Sequence, residues 1–333
     1  MYEIVMGGYM MKKFLILAIS LLFALSLFAC GAKEATPAQP TAAPAASYRW
    51  DFVKKTTGID DLKVECDQKG TIEELAYETP LYISDASTIV TKHLWVYLPY
   101  GYDQSKSYNV LYLMHGGGET EIYWLAGERW GPTTRNVLDN MIKNGVCDPF
   151  IVVTPTFYPP EGNYENPEGA EQLTYVFADE LRNQIVPLVE TKYSTYANGD
   201  VSEANLAATR DHRAFAGFSM GSMTSIHSAL MKNLDLFAWV GSYSGAKTEV
   251  KDFQDALNAE SVKALPIKFW YNGNGKADIA HDEHDEFCHG VVEAMPERFT
   301  DGENFAWVDL RDGSHAYQSW LVDLYNCMLV FFK

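Results

Sequence analysis

Between Gly70 and Tyr102 the chain alternates loosely between apolar and polar positions, first in GTIEELAYETPLYI and again in TIVTKHLWVYLPYGY, with β-branched and aromatic residues throughout. A period near two with a polar turn between the halves predicts two antiparallel strands. The pattern then changes. VLYLM (110–114), FIVVT (150–154), AFAGF (214–218), FAWVGSYS (237–244), IKFWYNG (267–273) and FAWVDL (305–310) are short apolar runs, which suit strands covered on both faces. Helical periods fill several gaps: TTRNVLDNMIKNG puts Val137, Leu138, Met141 and Ile142 on one face and ends at Gly145, and VFADELRNQIVPLVETKY does the same with Phe177, Leu181, Ile185 and Leu188. This alternation predicts an α/β fold, a mostly parallel central sheet with antiparallel N-terminal strands and helices on both faces.

The first 47 residues carry neither period. Lys12 and Lys13 precede FLILAISLLFALSLF, a 15-residue run from Phe14 to Phe28, short of the roughly 20 residues that span a bilayer and suited to a signal-peptide core. It ends in Leu27-Phe28-Ala29-Cys30-Gly31, which resembles a bacterial lipoprotein box with Cys30 as the lipidated residue. The alternative is an ordinary cleaved signal in which Cys30 has no role. Residues 31–47, GAKEATPAQPTAAPAAS, lack any aromatic or large aliphatic side chain and predict a disordered tether. The expected organisation is therefore a signal peptide over 1–30, a tether over 31–47 and one folded domain over 48–333. The expected location is outside the cytoplasm, lipid-anchored to the bacterial surface or outer membrane, or secreted.

Composition and charge narrow the partners. Hydrophobic residues make up 47% of the 333, enough for one large core without a second domain. A formal net charge of -18 repels phosphate, which argues against nucleic acid and anionic lipid surfaces and in favour of a neutral or apolar substrate. Contact with a membrane is expected only through the N-terminal lipid, and no obligate protein partner is evident. Beyond Cys30 there are Cys66, Cys147, Cys288 and Cys327; an exported chain could pair these in three ways, and their spacing does not choose.

The candidate chemistry centres on RAFAGFSMGS (213–222), where a buried strand runs into Ser219 and a helix starts at once. So sharp a reversal strains the serine backbone and demands near-absent side chains two residues to either side, which Gly217 and Gly221 supply. The bare G-x-S-x-G pattern arises by chance in roughly one chain in ten of this length, so the strand before it and the helix after it carry the weight. Upstream, HGGGE (His115 to Glu119) follows the strand VLYLM and offers closely spaced backbone N–H groups. Gly117 or Gly118 is the candidate oxyanion donor, paired with the N–H of Met220 at the helix start, while His115 holds the loop.

A serine needs a base, and the base needs an orienting carboxylate. Among the histidines after Ser219, His227 lies two turns along the helix, whereas His315 follows the last apolar strand through a glycine turn and is the expected base. The acid belongs to the loop NGKADIAHDEHDE (274–286) after the preceding strand: Asp278 first, Asp282 in reserve, with Asp309 and Asp312 less well placed. His281, His284, Cys288 and His289 resemble metal-ligand spacing, but the serine machinery needs no metal, and no metal or other cofactor is expected.

Taken together, LPYGYD, YLMHGGGE, NVLDNMIKNG, PFIVVTPTF, VPLVETKYSTYA, HRAFAGFSMGS, NGKADIA and GSHAYQSW resemble the esterase D-like feruloyl esterases of α/β-hydrolase fold, including those found as modules in bacterial xylanases. The likeness runs over roughly residues 70–333. It implies hydrolysis of ferulate and related hydroxycinnamate esters on arabinoxylan, or oligosaccharides from it, with Ser219, Asp278 and His315 as the triad. Ser222 departs from the pattern, where relatives commonly carry glycine. An aromatic acyl group calls for an apolar, aromatic pocket, for which Trp124, Phe157, Tyr158, Tyr317 and Trp320 are candidates, with YPPEGNYENPEGAEQ (158–172) as an exposed rim. The alternatives are an acetyl-xylan, siderophore or other small-ester esterase on the same scaffold, and a glycan-binding lipoprotein without activity.

Overall fold

A computed structural model describes residues 59–160 and 170–333. The expected signal peptide, Cys30 and the tether lie outside the described residues, as does the middle of the expected rim loop, 161–169.

Strands β1 (Thr71–Leu81) and β2 (Asp85–Leu98) form the expected antiparallel pair, Thr71 opposite Leu98 and Leu75 opposite Leu94. The register slips at Pro80, which has no N–H to give to the ladder. Strand β2 also runs antiparallel to β4 (Phe150–Thr154). From there β3 (Asn109–Met114), β5 (Arg213–Phe218), β6 (Trp239–Tyr243), β7 (Phe269–Gly275) and β8 (Phe305–Leu310) are parallel, giving one sheet in the order β1-β2-β4-β3-β5-β6-β7-β8.

The central strands are largely apolar, and both of their faces are buried. Along β3, Val110, Tyr112 and Met114 enter one core, while Leu111 and Leu113 enter the other. The second core is closed by α1 (Gly131–Lys143) and α8 (Tyr317–Val330). The first is closed by α2 (Ala170–Glu180), α3 (Val186–Lys192), α6 (Val250–Leu257) and α7 (His281–Ala294), with the helix that begins as α5 (Met220–Thr224); the short α4 (Glu203–Ala208) adds Leu206. Helices α2 and α3 are continuous through a π-helical stretch, Leu181–Ile185. Pro187 is the second residue of α3, just past this wide turn, where a residue unable to donate a backbone hydrogen bond is tolerated. The four cysteines of the described residues are all buried free thiols.

Arg213, where β5 begins, and Glu190 on α3 form a fully buried ion pair at 3.1 Å. Arg213 also donates to the carbonyls of Leu236 and Leu206, and Glu190 accepts the Thr195 hydroxyl. Removing one partner leaves the other charge buried and alone, so Glu190→Ala is expected to cost about 3–5 kcal/mol. Urea denaturation checks this as a lower midpoint at unchanged slope.

Candidate active site

Ser219 stands between the C-terminal end of β5 and the first residue of α5 with φ 54° and ψ -120°. That conformation is one L-residues adopt only under constraint, at a cost of about 1–3 kcal/mol. Three contacts impose it. The Ser219 amide donates to the Tyr243 carbonyl at 2.8 Å, tying the turn to the neighbouring strand. A Cβ on Gly217 would stand 2.6 Å from the Gly221 carbonyl oxygen, and one on Gly221 would stand 2.5 Å from the His115 carbonyl oxygen. Neither position has room for a side chain. The buried Ser222 hydroxyl donates to the Gly245 carbonyl, fastening α5 to the loop after β6, so this departure from the expected glycine is structural.

His315 Nε2 lies 3.1 Å from Ser219 Oγ, and its Nδ1 lies 2.8 Å from Asp278 Oδ1. Ser219, His315 and Asp278 come from the loops after β5, β8 and β7, and the structure brings all three together. Asp278, whose side chain is fully buried, also accepts the Ala280 amide at 2.8 Å through the same oxygen. Burial pushes this carboxyl's pKa up. The hydrogen bonds from His315 and the Ala280 amide outweigh it, so the group is held below the ordinary carboxylate value and is an anion at neutral pH. The reserve, Asp282, is fully exposed and pairs with His281; Asp309 takes the other nitrogen of that ring.

The glycine loop runs beside the serine. A Cβ on Gly116 would approach Ser219 Cβ to 3.2 Å, and one on Gly117 would approach the Met220 sulfur to 2.9 Å. The Gly118 amide donates to the Tyr158 hydroxyl at 3.1 Å, which distinguishes it from Gly117. His115 is buried under the loop, its ring bonded to Gly116 and Thr156, and burial lowers its pKa to about 4.

The expected aromatic wall is largely scaffold. Trp124 is fully buried, with its indole N–H donating to the Met114 carbonyl at 3.1 Å. Tyr317 is buried in a stack on Trp130 at 4.2 Å with its hydroxyl against Thr134, and Phe157 is buried against the His115 ring. Trp320, also buried, stacks on Phe218 at 3.8 Å, meets the His315 ring edge-on at 5.1 Å and donates to the Ser244 hydroxyl. Each of these rings, where it has a polar end, satisfies it inside the protein, which leaves little to offer a ligand. Tyr158 is the partly exposed member of the set. Sequence reasoning missed Ser244, a non-glycine residue at φ 59° whose hydroxyl accepts the Trp320 indole N–H at 2.8 Å; the Ser-Gly pair ending the β6 run was its one trace.

The histidine-rich segment is helix α7. His284 and Cys288 are buried, whereas His281 and His289 bond to aspartates at its surface, so the four do not converge. His227 is buried between the Thr174 and Thr248 hydroxyls, away from Ser219.

Comparison with known proteins bears on the fold and the family. A family model described as a putative esterase matches residues 90–324. Endo-1,4-beta-xylanase Y of Acetivibrio thermocellus is 36% identical over 245 residues, which cover 72% of this chain and 21% of that protein. An endo-1,4-beta-xylanase/feruloyl esterase of Xylanibacter ruminicola is 28% identical over 165 residues, 48% of this chain and 20% of that protein. The chain thus spans about a fifth of the length of these curated relatives. Among solved structures, a serine-to-alanine mutant of the feruloyl esterase module from Clostridium thermocellum, complexed with sinapinate, superposes with a TM-score of 0.70 at 31% identity, covering 83% of this chain and 92% of that one. A ferulic acid esterase from Anaeromyces mucronatus shares the fold at a TM-score of 0.63 and 22% identity, covering 83% and 97%. The chain therefore belongs to the putative esterase family, as a feruloyl esterase-like carboxylic ester hydrolase of α/β-hydrolase fold.

Proposed function

We propose that this enzyme hydrolyses ferulate and related hydroxycinnamate esters of plant cell-wall arabinoxylan, or of oligosaccharides derived from it, through an acyl-enzyme on Ser219. The observation that carries the reading is the unbroken relay from Ser219 Oγ through His315 to the buried Asp278. Ser219 Oγ attacks the ester carbonyl carbon as His315 Nε2 takes its proton. The oxyanion is received by the amides of Met220 and Gly117, the latter chosen over Gly118 because Gly118 already serves Tyr158. Collapse breaks the bond to the sugar oxygen, which leaves with the proton held on His315. Water then attacks the acyl-enzyme with His315 again as base, releasing the free acid and restoring the serine.

The aromatic acyl group is supported by relatives that are feruloyl esterases, one of them complexed with sinapinate. Ile279, 89% exposed and one residue beyond Asp278, adds apolar surface on the loop that carries the acid. The basic pair, apolar run and Cys30 of the leader support export and lipid anchoring at the bacterial surface, where a polymer too large to enter the cell is met.

Ser219→Ala is expected to abolish hydrolysis of methyl ferulate and labelling by a fluorophosphonate while leaving the thermal midpoint near wild type. Turnover surviving in that variant sinks the acyl-enzyme. In a panel of methyl hydroxycinnamates and acetyl esters, the hydroxycinnamates are expected to give the higher kcat/KM; preference for acetyl esters assigns a different acyl group.

Only neutral imidazole accepts the serine proton. Asp278→Asn removes the charge that stabilises the imidazolium and is expected to lower kcat by about 10⁴-fold. Because the folded-state pKa of Asp278 lies below the ordinary 3.8, its charge contributes stability above that value, and the contribution fades as pH falls through the lowered one. Urea denaturation between neutral and acid pH should show a shallower acid-side loss in Asp278→Asn than in wild type.

A further inference from the structure

Behind the glycine loop lies a chain of buried polar groups that the reaction does not use. Lys92 on β2 and Glu180, the last residue of α2, are both buried, and the ammonium meets the two carboxylate oxygens at 2.8 and 2.9 Å. The Tyr77 hydroxyl from β1 donates to Glu180 at 2.6 Å. Lys92 also donates to the Thr156 carbonyl at 2.7 Å. The Thr156 hydroxyl, in turn, meets His115 Nε2 at 2.7 Å and accepts the Tyr158 amide at 3.1 Å. His115 Nδ1 lies 2.8 Å from the Gly116 carbonyl, so Nδ1 carries the proton and Nε2 accepts from Thr156. Since the Tyr158 hydroxyl receives the Gly118 amide, Thr156 is linked to the glycine loop at both ends, through His115 to Gly116 and through Tyr158 to Gly118.

A buried ion pair is a poor route to stability, because desolvating both charges offsets most of their attraction and apolar replacements are often as stable. What such a pair does supply is a fixed point with directional bonds. Oxyanion donors depend on that kind of fixity, since their value lies in being aimed at the place where charge will develop. We propose that Lys92 and Glu180 are positioning residues for the oxyanion site, setting through Thr156 and His115 where the amides of the glycine loop stand; this rests on assigning the Gly117 and Met220 amides to the oxyanion.

The decisive variant replaces the whole buried group, Tyr77→Phe with Lys92→Met and Glu180→Leu, so that no charge or hydroxyl is left unpartnered. Its thermal midpoint is expected to match or exceed wild type, and KM for methyl ferulate to stay within about twofold, while kcat falls about 10- to 100-fold. Affinity for an aryl boronic acid, which forms a reversible tetrahedral adduct on Ser219, should fall by a similar factor. Thr156→Val should reproduce the loss of kcat, and Thr156→Ser, which keeps the hydroxyl, should retain wild-type kcat. A folded triple variant with wild-type kcat and boronate affinity overturns the positioning role, as does a loss in KM and thermal midpoint with kcat unchanged. If the triple variant does not fold, the Thr156 pair decides on the same readouts. Wild type inactive on every ester, or Ser219→Ala still active, would instead sink the esterase reading itself.

Discussion

The active-site geometry depends on one strained residue. Ser219 is held at φ 54° because the strand before it and the helix after it approach so closely that only glycine fits at 217, because the backbone at the end of β3 leaves room only for glycine at 221, and because its amide is spoken for by Tyr243. That strain is sustained by the burial of β5 in both cores and by the helix packed behind it. It sets the hydroxyl at the edge of the sheet where the loops after β7 and β8 deliver their own side chains. Relaxing the serine into an ordinary conformation would move Oγ off the line to His315.

Around that point, most polar groups that would be costly to bury have partners, while Asn272 Nδ2, Asn274 Oδ1 and Asp278 Oδ2 have none among the described residues. Asp278 keeps its charge inside the protein because donors from His315 and Ala280 replace part of the water it lost. His115 and His284 take the opposite course. Burial lowers the pKa of His115 to about 4 and that of His284 to about 3, so both serve as neutral hydrogen-bonding struts. The contrast shows how these histidines divide their labour: the base, His315, keeps part of its ring in contact with solvent, and His115 and His284 do not. The aromatic rings follow the same economy. Trp320 braces Phe218, the His315 ring and Ser244 at once, so one side chain of α8 stabilises three parts of the site.

Patterns that depend on neighbours in the chain were readable in advance. The loose alternation of β1 and β2, the unbroken apolar runs of the parallel strands and the faces of α1 and α2 follow from periods of 2 and 3.6. The nucleophile position was readable because the two glycines flanking Ser219 lie within residues 217 to 221, although the His115 carbonyl that excludes a side chain at 221 comes from a remote strand end. His315 and Asp278 could be placed by the order in which strands end in loops. Which aromatic rings are buried was not readable, because a ring's proximity to a motif in sequence says nothing about which helix will cover it; Trp124 lies six residues beyond the glycine loop yet is fully buried. The clasp built on Lys92, Glu180 and Thr156 left no local trace, because its members lie on separate elements up to 88 residues apart.

Local sterics and periodicity, both written into consecutive residues, thus determined the fold class, the strained serine and the identity of its base. Tertiary structure alone decided the position of β4 between β2 and β3, the choice of Asp278 over its acidic neighbours, the engagement of the Gly118 amide by Tyr158, and which aromatic rings are scaffold. These are distances between segments remote in the chain, and such distances exist only once the two cores have closed on the sheet.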